Sequence, residues 1–569
     1  MTVLKELVER LGKEQVSEAH FEGANVVLYT RDKNLFLNGR DTIKDLAKEF
    51  KKRIEVRMLP NLCIDEDTTQ EIIKKLIPKD AGVGEIIFDP PRSVCIIHAD
   101  KPGLITSKSA KFIEDIKDKT KWAPIVKRVP PIKSKLIDSI RSVLYENADY
   151  RKKFLNRLGE NLYQPKSDKK PWVRLSFLGA GRQVGRSCLL VQTPQSTVVM
   201  DCGIDPGGDG HDAHPHLDAS EFDISKIDAV ILSHAHLDHS GLVPLLYKYG
   251  YRGPVYCAAP TRDVSALLLL DSIKIMHSEG KEAYFSSEDV TQFVLHTIPL
   301  GWESVTDITP DLRLTFYNSG HILGSSIIHL NINNGFHNLV YTADMKYART
   351  NVLEPAHTYF PRVETLITEA TYGGKGNILA EKEADEYMVE TIANTFKRGG
   401  KVLMPVLGSG RAQEVMVICE RLMREGRIPK APIYIDGMLW DITAIHTAYP
   451  EFLGRSLREQ IFNKGNNPFL SEIFKRVGSM KERKEVIDSE EPCLILATSG
   501  MLTGGPSVQY LKALCEDKRH SLIFSCYQPR GSLGHRIREG DPEIQVAEEG
   551  KMRAYNINME VHKIEITSH

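Results

Sequence analysis

Two hydrophobic periodicities alternate over the first 130 residues. The opening MTVLKELVERLGKEQ carries an apolar stripe at helical spacing and reads as an amphipathic helix. Residues 26–29 are β-rich, and 35–37 are expected as a short apolar strand ending at Asn38-Gly39. Residues 41–52 place Ile43, Leu46, Ala47 and Phe50 on one helical face, and 54–58 alternate as a strand. The theme then repeats over 69–129. A helix over 71–77 stops at Pro78, strands follow at 85–88 and 94–98, and a helix over 109–119 turns Phe112, Ile113 and Ile116 to one side before an extended run over 122–129. The pattern predicts two similar α/β units of about 65 residues each, placed at 1–67 and 68–145.

Pro130-Pro131 leads into a connector, assigned to 146–171, with the basic stretch Arg151-Lys152-Lys153 and a polar run over 164–170. From Trp172 the pattern changes to short β-runs at 173–178, 187–192 and 197–200 with glycine turns, as in stacked hairpins. From about 375 to 555, helices (384–396, 413–423) alternate with apolar strands (401–405, 433–435). That alternation predicts an α/β domain around a buried parallel sheet. The fold class is therefore multidomain α/β.

Composition changes this picture in two places. The 569 residues carry 74 basic and 75 acidic side chains, yet residues 1–170 hold 34 basic against 26 acidic, so the remainder is acidic. A basic N-terminal region suits a polyanionic partner, and it equally suits a solvated surface. Nine cysteines without a CxxC pair fit reduced thiols in a cytoplasmic protein and exclude a zinc knuckle. A hydrophobic content of 41% argues against wholesale disorder. Apolar runs such as 266–270 are far short of the ~18 residues of a membrane span, and no secretory leader is evident.

The strongest chemical signal is Ser233-His234-Ala235-His236-Leu237-Asp238-His239-Ser240-Gly241, directly after an apolar strand over 229–232. In extended backbone, residues i and i+2 point the same way, so His234 and His236 can face one metal. The chain then turns toward a helix, and Asp238 and His239 can face a second metal nearby. Nitrogen and oxygen donors suit Zn²⁺. His321, in a glycine loop after a strand over 312–317, and Asp344, ending a strand over 339–343, are further candidate ligands, with a carboxylate at 344 able to bridge two ions. Asp201, ending the strand 198–200, is a candidate to orient a ligand histidine. His211, His214 and His216 lie in a proline- and glycine-rich loop and read as surface histidines.

These motifs resemble the metallo-β-lactamase superfamily in its β-CASP nucleic-acid-processing branch. Asp201 matches the first motif, His234, His236, Asp238 and His239 the second, His321 the third and Asp344 the fourth. Thr368-Glu369-Ala370-Thr371-Tyr372-Gly373 resembles the branch-defining acidic motif, and residues 405–413, 497–506 and 527–537 resemble segments of the inserted domain. With N-terminal units similar to KH domains, the chain looks most like the archaeal homologue of the cleavage and polyadenylation specificity factor nuclease. The resemblance implies a metallo-β-lactamase domain over 172–372, a β-CASP domain over 373–556 and a return to the former over 557–569.

It further implies a ribonuclease with two Zn²⁺ ions that leaves a 5′-phosphate and a 3′-hydroxyl, cutting internally or trimming 5′ to 3′ in RNA 3′-end formation or transcription termination. Asp238, Glu369 and Asp201 are its catalytic candidates, with Glu369 steering a histidine that protonates the leaving oxygen. RNA, the transcription machinery and a second copy of the chain are the implied partners. Glycine-rich Gly408–Gly410 and 499–505 are candidate phosphate cradles, with Ser409, Arg411 and Ser499 as RNA contacts. In relatives a Ser-small-His-small-Asp motif and a last histidine follow; here Ile566-Thr567-Ser568-His569 is the nearest match, so the second zinc site is expected to be under-ligated. The KH-like units depart from the GxxG pattern, with Asn38-Gly39-Arg40-Asp41 and Ser107-Lys108-Ser109-Ala110 at the loops. Lys101, Lys108 and Lys111 remain as electrostatic RNA contacts, and a scaffold or dimerisation role weighs equally. Two alternatives stand beside the nuclease: an RNA-holding scaffold that does not cut, and a small thioester or lactam hydrolase, which would need neither the inserted domain nor the basic region.

Overall fold

One element order, helix–strand–strand–helix–helix–strand, occurs twice in the first 128 residues of the computed structural model. The model describes residues 3–107, 111–205, 207–208, 210–278, 280–374, 381–526, 528, 531–548 and 551–564. In the first copy the strands Glu18–Glu22 and Asn25–Thr30 pair antiparallel, and Ile54–Met58 joins parallel to the second. In the second copy Val83–Asp89, Val94–Ala99 and Ala123–Arg128 repeat that arrangement. Each copy closes its own core, around Leu7, Val26, Leu28 and Leu46 in one and Ile73, Cys95, Ile97 and Trp122 in the other.

One local expectation is corrected. Residues 33–38 form a helix, Lys33–Asn38, instead of a strand at 35–37. The Asp32 side chain accepts the Asn34 N–H, capping it, and Leu35 and Phe36 are buried beneath it. Two helices, Lys135–Glu146 and Ala148–Leu162, span the end of the range assigned to the second unit and most of the connector assigned to 146–171. Leu155, Leu158 and Leu162 bury one face of the second. Its basic stretch is partly structural, because Arg151 donates to the Leu295 carbonyl and Lys152 to that of Pro91.

The chain divides into two compact units. The first comprises residues 1–317, 328–341 and 360–367. Beyond the repeats it holds a six-stranded sheet. Arg174–Phe177, Leu189–Gln192 and Thr197–Met200 form the expected antiparallel hairpins. Ala229–Ile231, Val255–Cys257 and Thr297–Pro299 then add in parallel. A second, five-stranded sheet follows, from Thr306–Asp307 to Thr365–Ile367.

The second unit comprises 318–327, 342–359 and 368–569. Its centre is a sheet of six parallel strands, in the order Phe474–Val477, Ile433–Asp436, Leu494–Ala497, Val402–Pro405, Ser521–Phe524 and Glu560–Lys563. The buried parallel sheet read from the apolar runs is thus present. Its last strand differs from expectation. Residues 560–563, assigned to a returning lactamase segment, complete this sheet through pairing with Ser521–Phe524. Among the described residues no helix is long and apolar enough to cross a membrane.

Candidate metal centre

The strand Ala229–Ile231 is wholly buried and delivers Ser233 and His234 to positions with no exposed surface. A single helical turn, Leu237–Ser240, follows. The turn folds the motif back, so that the His234 ring lies 5.1 Å from that of His236 and 4.1 Å from that of His239, centroid to centroid.

Asp201 follows the adjacent strand Thr197–Met200, which pairs parallel to Ala229–Ile231. It is fully buried, with a left-handed φ of 59°. Its carboxylate accepts four hydrogen bonds: the Ser233 N–H at 2.7 Å, the Ser233 hydroxyl at 2.8 Å, His239 Nδ1 at 2.8 Å and the Tyr341 hydroxyl at 3.2 Å. A carboxylate only accepts, so His239 carries its proton on Nδ1 and presents the Nε2 lone pair. Ser233 gives its one hydroxyl proton to Asp201. His234 Nδ1, 3.0 Å from Ser233 Oγ, is therefore the donor in that contact, and its Nε2 carries the lone pair. Gly203 has no room for a Cβ, which would overlap the Asp238 carbonyl. The close approach lets Ser187 N–H reach that carbonyl at 2.8 Å and Cys202 N–H reach the His239 carbonyl at 2.8 Å.

In the second unit, His321 Nε2 and Asp344 Oδ2 are 3.5 Å apart, with side-chain exposures of 1% and 17%. Their loops are tied by the Lys346 N–H to the Ser319 carbonyl at 2.8 Å. Glu369, expected to steer a proton-donating histidine, accepts the backbone N–H of Met345 at 3.2 Å and of Thr371 at 3.1 Å. It thereby holds the backbone next to Asp344.

Among the described residues, two sets of side chains have the composition and spacing to hold a metal. They are His234, His236, His321 and Asp344, and Asp238, His239 and Asp344, with the ligand atoms of each set within 4.8 Å of one another. The six candidate ligands read from the sequence are the six members of these sets. Ser233 and Tyr341 escaped the sequence reading. Ser233 lies inside the quoted motif, but nothing local signals that its hydroxyl bridges Asp201 and His234. Tyr341 looks like one more residue of an apolar strand.

The residues expected to touch RNA are scattered in exposure. Lys101 and Lys111 are exposed and Ser499 is half-buried. Ser409 and Arg411 are buried, and the Arg411 guanidinium donates to the Ser525 carbonyl. Both side chains lie inside their own unit, 2% and 8% exposed. Lys108 and His569 lie outside the described residues. Of the loop histidines, His211 and His216 are exposed as expected, and His214 is half-buried beside Tyr284.

Comparison with known proteins identifies the domains that carry these residues. Residues 190–370 match the metallo-beta-lactamase superfamily domain, residues 412–537 the Beta-Casp domain, and residues 1–62 the KH domain of transcription termination factor FttA. Transcription termination factor FttA of Methanocaldococcus jannaschii is 47% identical over 99% of this chain and 89% of its own length. That of Methanothermobacter thermautotrophicus is 47% identical over 99% and 88%, and that of Pyrococcus abyssi 46% over 99% and 88%. With its N-terminal KH domain, its metallo-β-lactamase and β-CASP domains and this degree of identity along nearly the whole chain, the protein belongs to the FttA family.

Proposed function

We propose that the chain is a zinc-dependent ribonuclease that cuts RNA phosphodiesters in transcription termination. The observation that carries this reading is the pair of ligand sets sharing Asp344, in a chain whose relatives are named transcription termination factors. Three imidazoles with one carboxylate, and one imidazole with two carboxylates, are donor sets that suit Zn²⁺. Zinc bound there supplies Lewis acidity toward a phosphate oxygen and a water of lowered pKa.

The protein groups have separate tasks. Asp201 keeps the Nδ1 proton on His239 and, through Ser233, on His234, so both rings offer Nε2. Asp344 serves both sets, and Glu369 anchors the backbone beside it. Exposed Lys101 and Lys111 supply positive charge for an RNA backbone.

The test is turnover of a labelled RNA by the zinc-loaded protein. Cleavage that leaves a 5′-phosphate, stops on chelation and is lost in His236→Ala is the expected result. Retained RNA binding with no turnover by the zinc-replete protein would favour an RNA-holding scaffold.

A further inference from the structure

We infer that Glu414 is a positioning residue that holds the ligand pair His321 and Asp344 in place from within the inserted domain. The inference rests on the metal-centre reading above. Glu414 sits in the helix Arg411–Arg424 and is 9% exposed. Its carboxylate accepts three hydrogen bonds from the loop that follows Asp344: the Asn351 N–H at 2.8 Å, the Asn351 side-chain amide at 2.7 Å and the Val352 N–H at 3.1 Å. The grip extends further. Gly454 N–H donates to the Val352 carbonyl at 2.8 Å, and Glu354 accepts the Arg455 N–H at 2.7 Å.

The same loop is stapled to the one carrying His321. The Asn318 amide donates to the carbonyls of Glu354 at 3.1 Å and Pro355 at 3.0 Å. Lys346 N–H reaches Ser319, and Ala356 N–H reaches the Lys346 carbonyl at 2.7 Å. Gly320 has φ 72°, and a Cβ there would stand 2.8–2.9 Å from Glu354 O, Lys346 O and Ala356 N. Only glycine lets the two loops nest so closely. The His321 and Asp344 loops therefore move as one body, whose foothold in the helix is Glu414.

Every hydrogen bond just described for Glu414 comes from the ligand-bearing loop, so its removal acts on where that loop sits. Ligand geometry must be held within about 0.5 Å; partners hydrogen-bonded directly to ligands are worth ~10–100-fold in metal affinity, and the low end of that range is expected one step further out.

The test is zinc affinity of the full chain, measured by competition with a chromophoric chelator, beside the visible spectrum of cobalt-substituted protein. The wild type is expected to bind zinc and His321→Ala to bind it more weakly. Glu414→Gln keeps the acceptors for Asn351 but not for Val352; it is expected to bind ~10-fold or more weakly and to shift the cobalt spectrum. Glu420→Gln, on the same helix and paired with Arg424 at 3.3 Å, is expected to match the wild type in both. Should Glu414→Gln fail to fold, Asn351→Ala leaves the helix intact and is expected to weaken zinc in the same direction. Wild-type affinity and spectrum in the folded variants would overturn the inference alone. Absence of zinc binding by the wild type would overturn the metal reading and the inference together.

Discussion

Asp201 Oδ2 and His239 Nδ1 lie 2.8 Å apart, and the carboxylate has no contact with solvent. The pair sets which ring nitrogen of His239 is free to bind a metal. Asp201→Asn replaces one acceptor oxygen by an N–H donor facing the same three neighbours, favouring the wrong tautomer. Zinc affinity is expected to fall ~10–100-fold while the circular dichroism spectrum stays that of the wild type. Competition titration at fixed pH reads this, and unchanged affinity would refute the orienting role.

Gly320→Ala tests the nesting of the two ligand loops. A left-handed φ and three backbone atoms within contact range make the substitution strained, at a cost on the order of 1–3 kcal/mol. The protein is expected to remain folded, to melt a few degrees lower, and to retain less zinc by elemental analysis than a Gly426→Ala control, where nothing stands near the added Cβ.

The exposed lysines of the second KH-like unit make an electrostatic prediction. For single-stranded RNA, each phosphate contact contributes ~0.7 to the slope of log K against log salt. The double variant Lys101→Glu, Lys111→Glu is expected to bind more weakly at low salt and to lower that slope by about one unit or more. Fluorescence anisotropy over a salt series measures it. An unaltered slope would assign these lysines to a merely solvated face.

Buried histidines give the fold an acid limit. Burial pushes His446, His296 and His98 down to about 4 each. Unfolded, each titrates near the ordinary ~6.5. Between those values the unfolded chain binds more protons, so stability is fully present above about pH 6.5 and drains away as pH falls toward 4. His446, which is 1% exposed and gives its Nδ1 proton to the Ile442 carbonyl at 2.9 Å, contributes up to ~1.4 kcal/mol per pH unit in that window. Denaturant midpoints from pH 7.5 to 4.5 are expected to fall, and His446→Gln to flatten the fall.

The second unit's sheet was legible as apolar runs at strand length, since a parallel sheet covered on both faces demands them. The helix Lys33–Asn38 was not, because three apolar residues in a row read as strand until a cap and a neighbouring core decide otherwise. Ser409 and Arg411 show what packing adds to a local pattern. A glycine-flanked Ser and Arg look like a phosphate loop, and only the packing around them reveals that Arg411 is spent on the Ser525 carbonyl.

The sequence alone determined the repeated N-terminal units and the presence of metal-ligand chemistry at 234–239. Both are written in spacings of two to four residues, where strand and helix geometry act directly. Tertiary structure decided which distant groups share a task. Asp344 belongs to two ligand sets, Ser233 relays Asp201 to His234, and Glu414 secures a loop far from it in the chain. Such partnerships depend on how loops close in space, and no local periodicity encodes that.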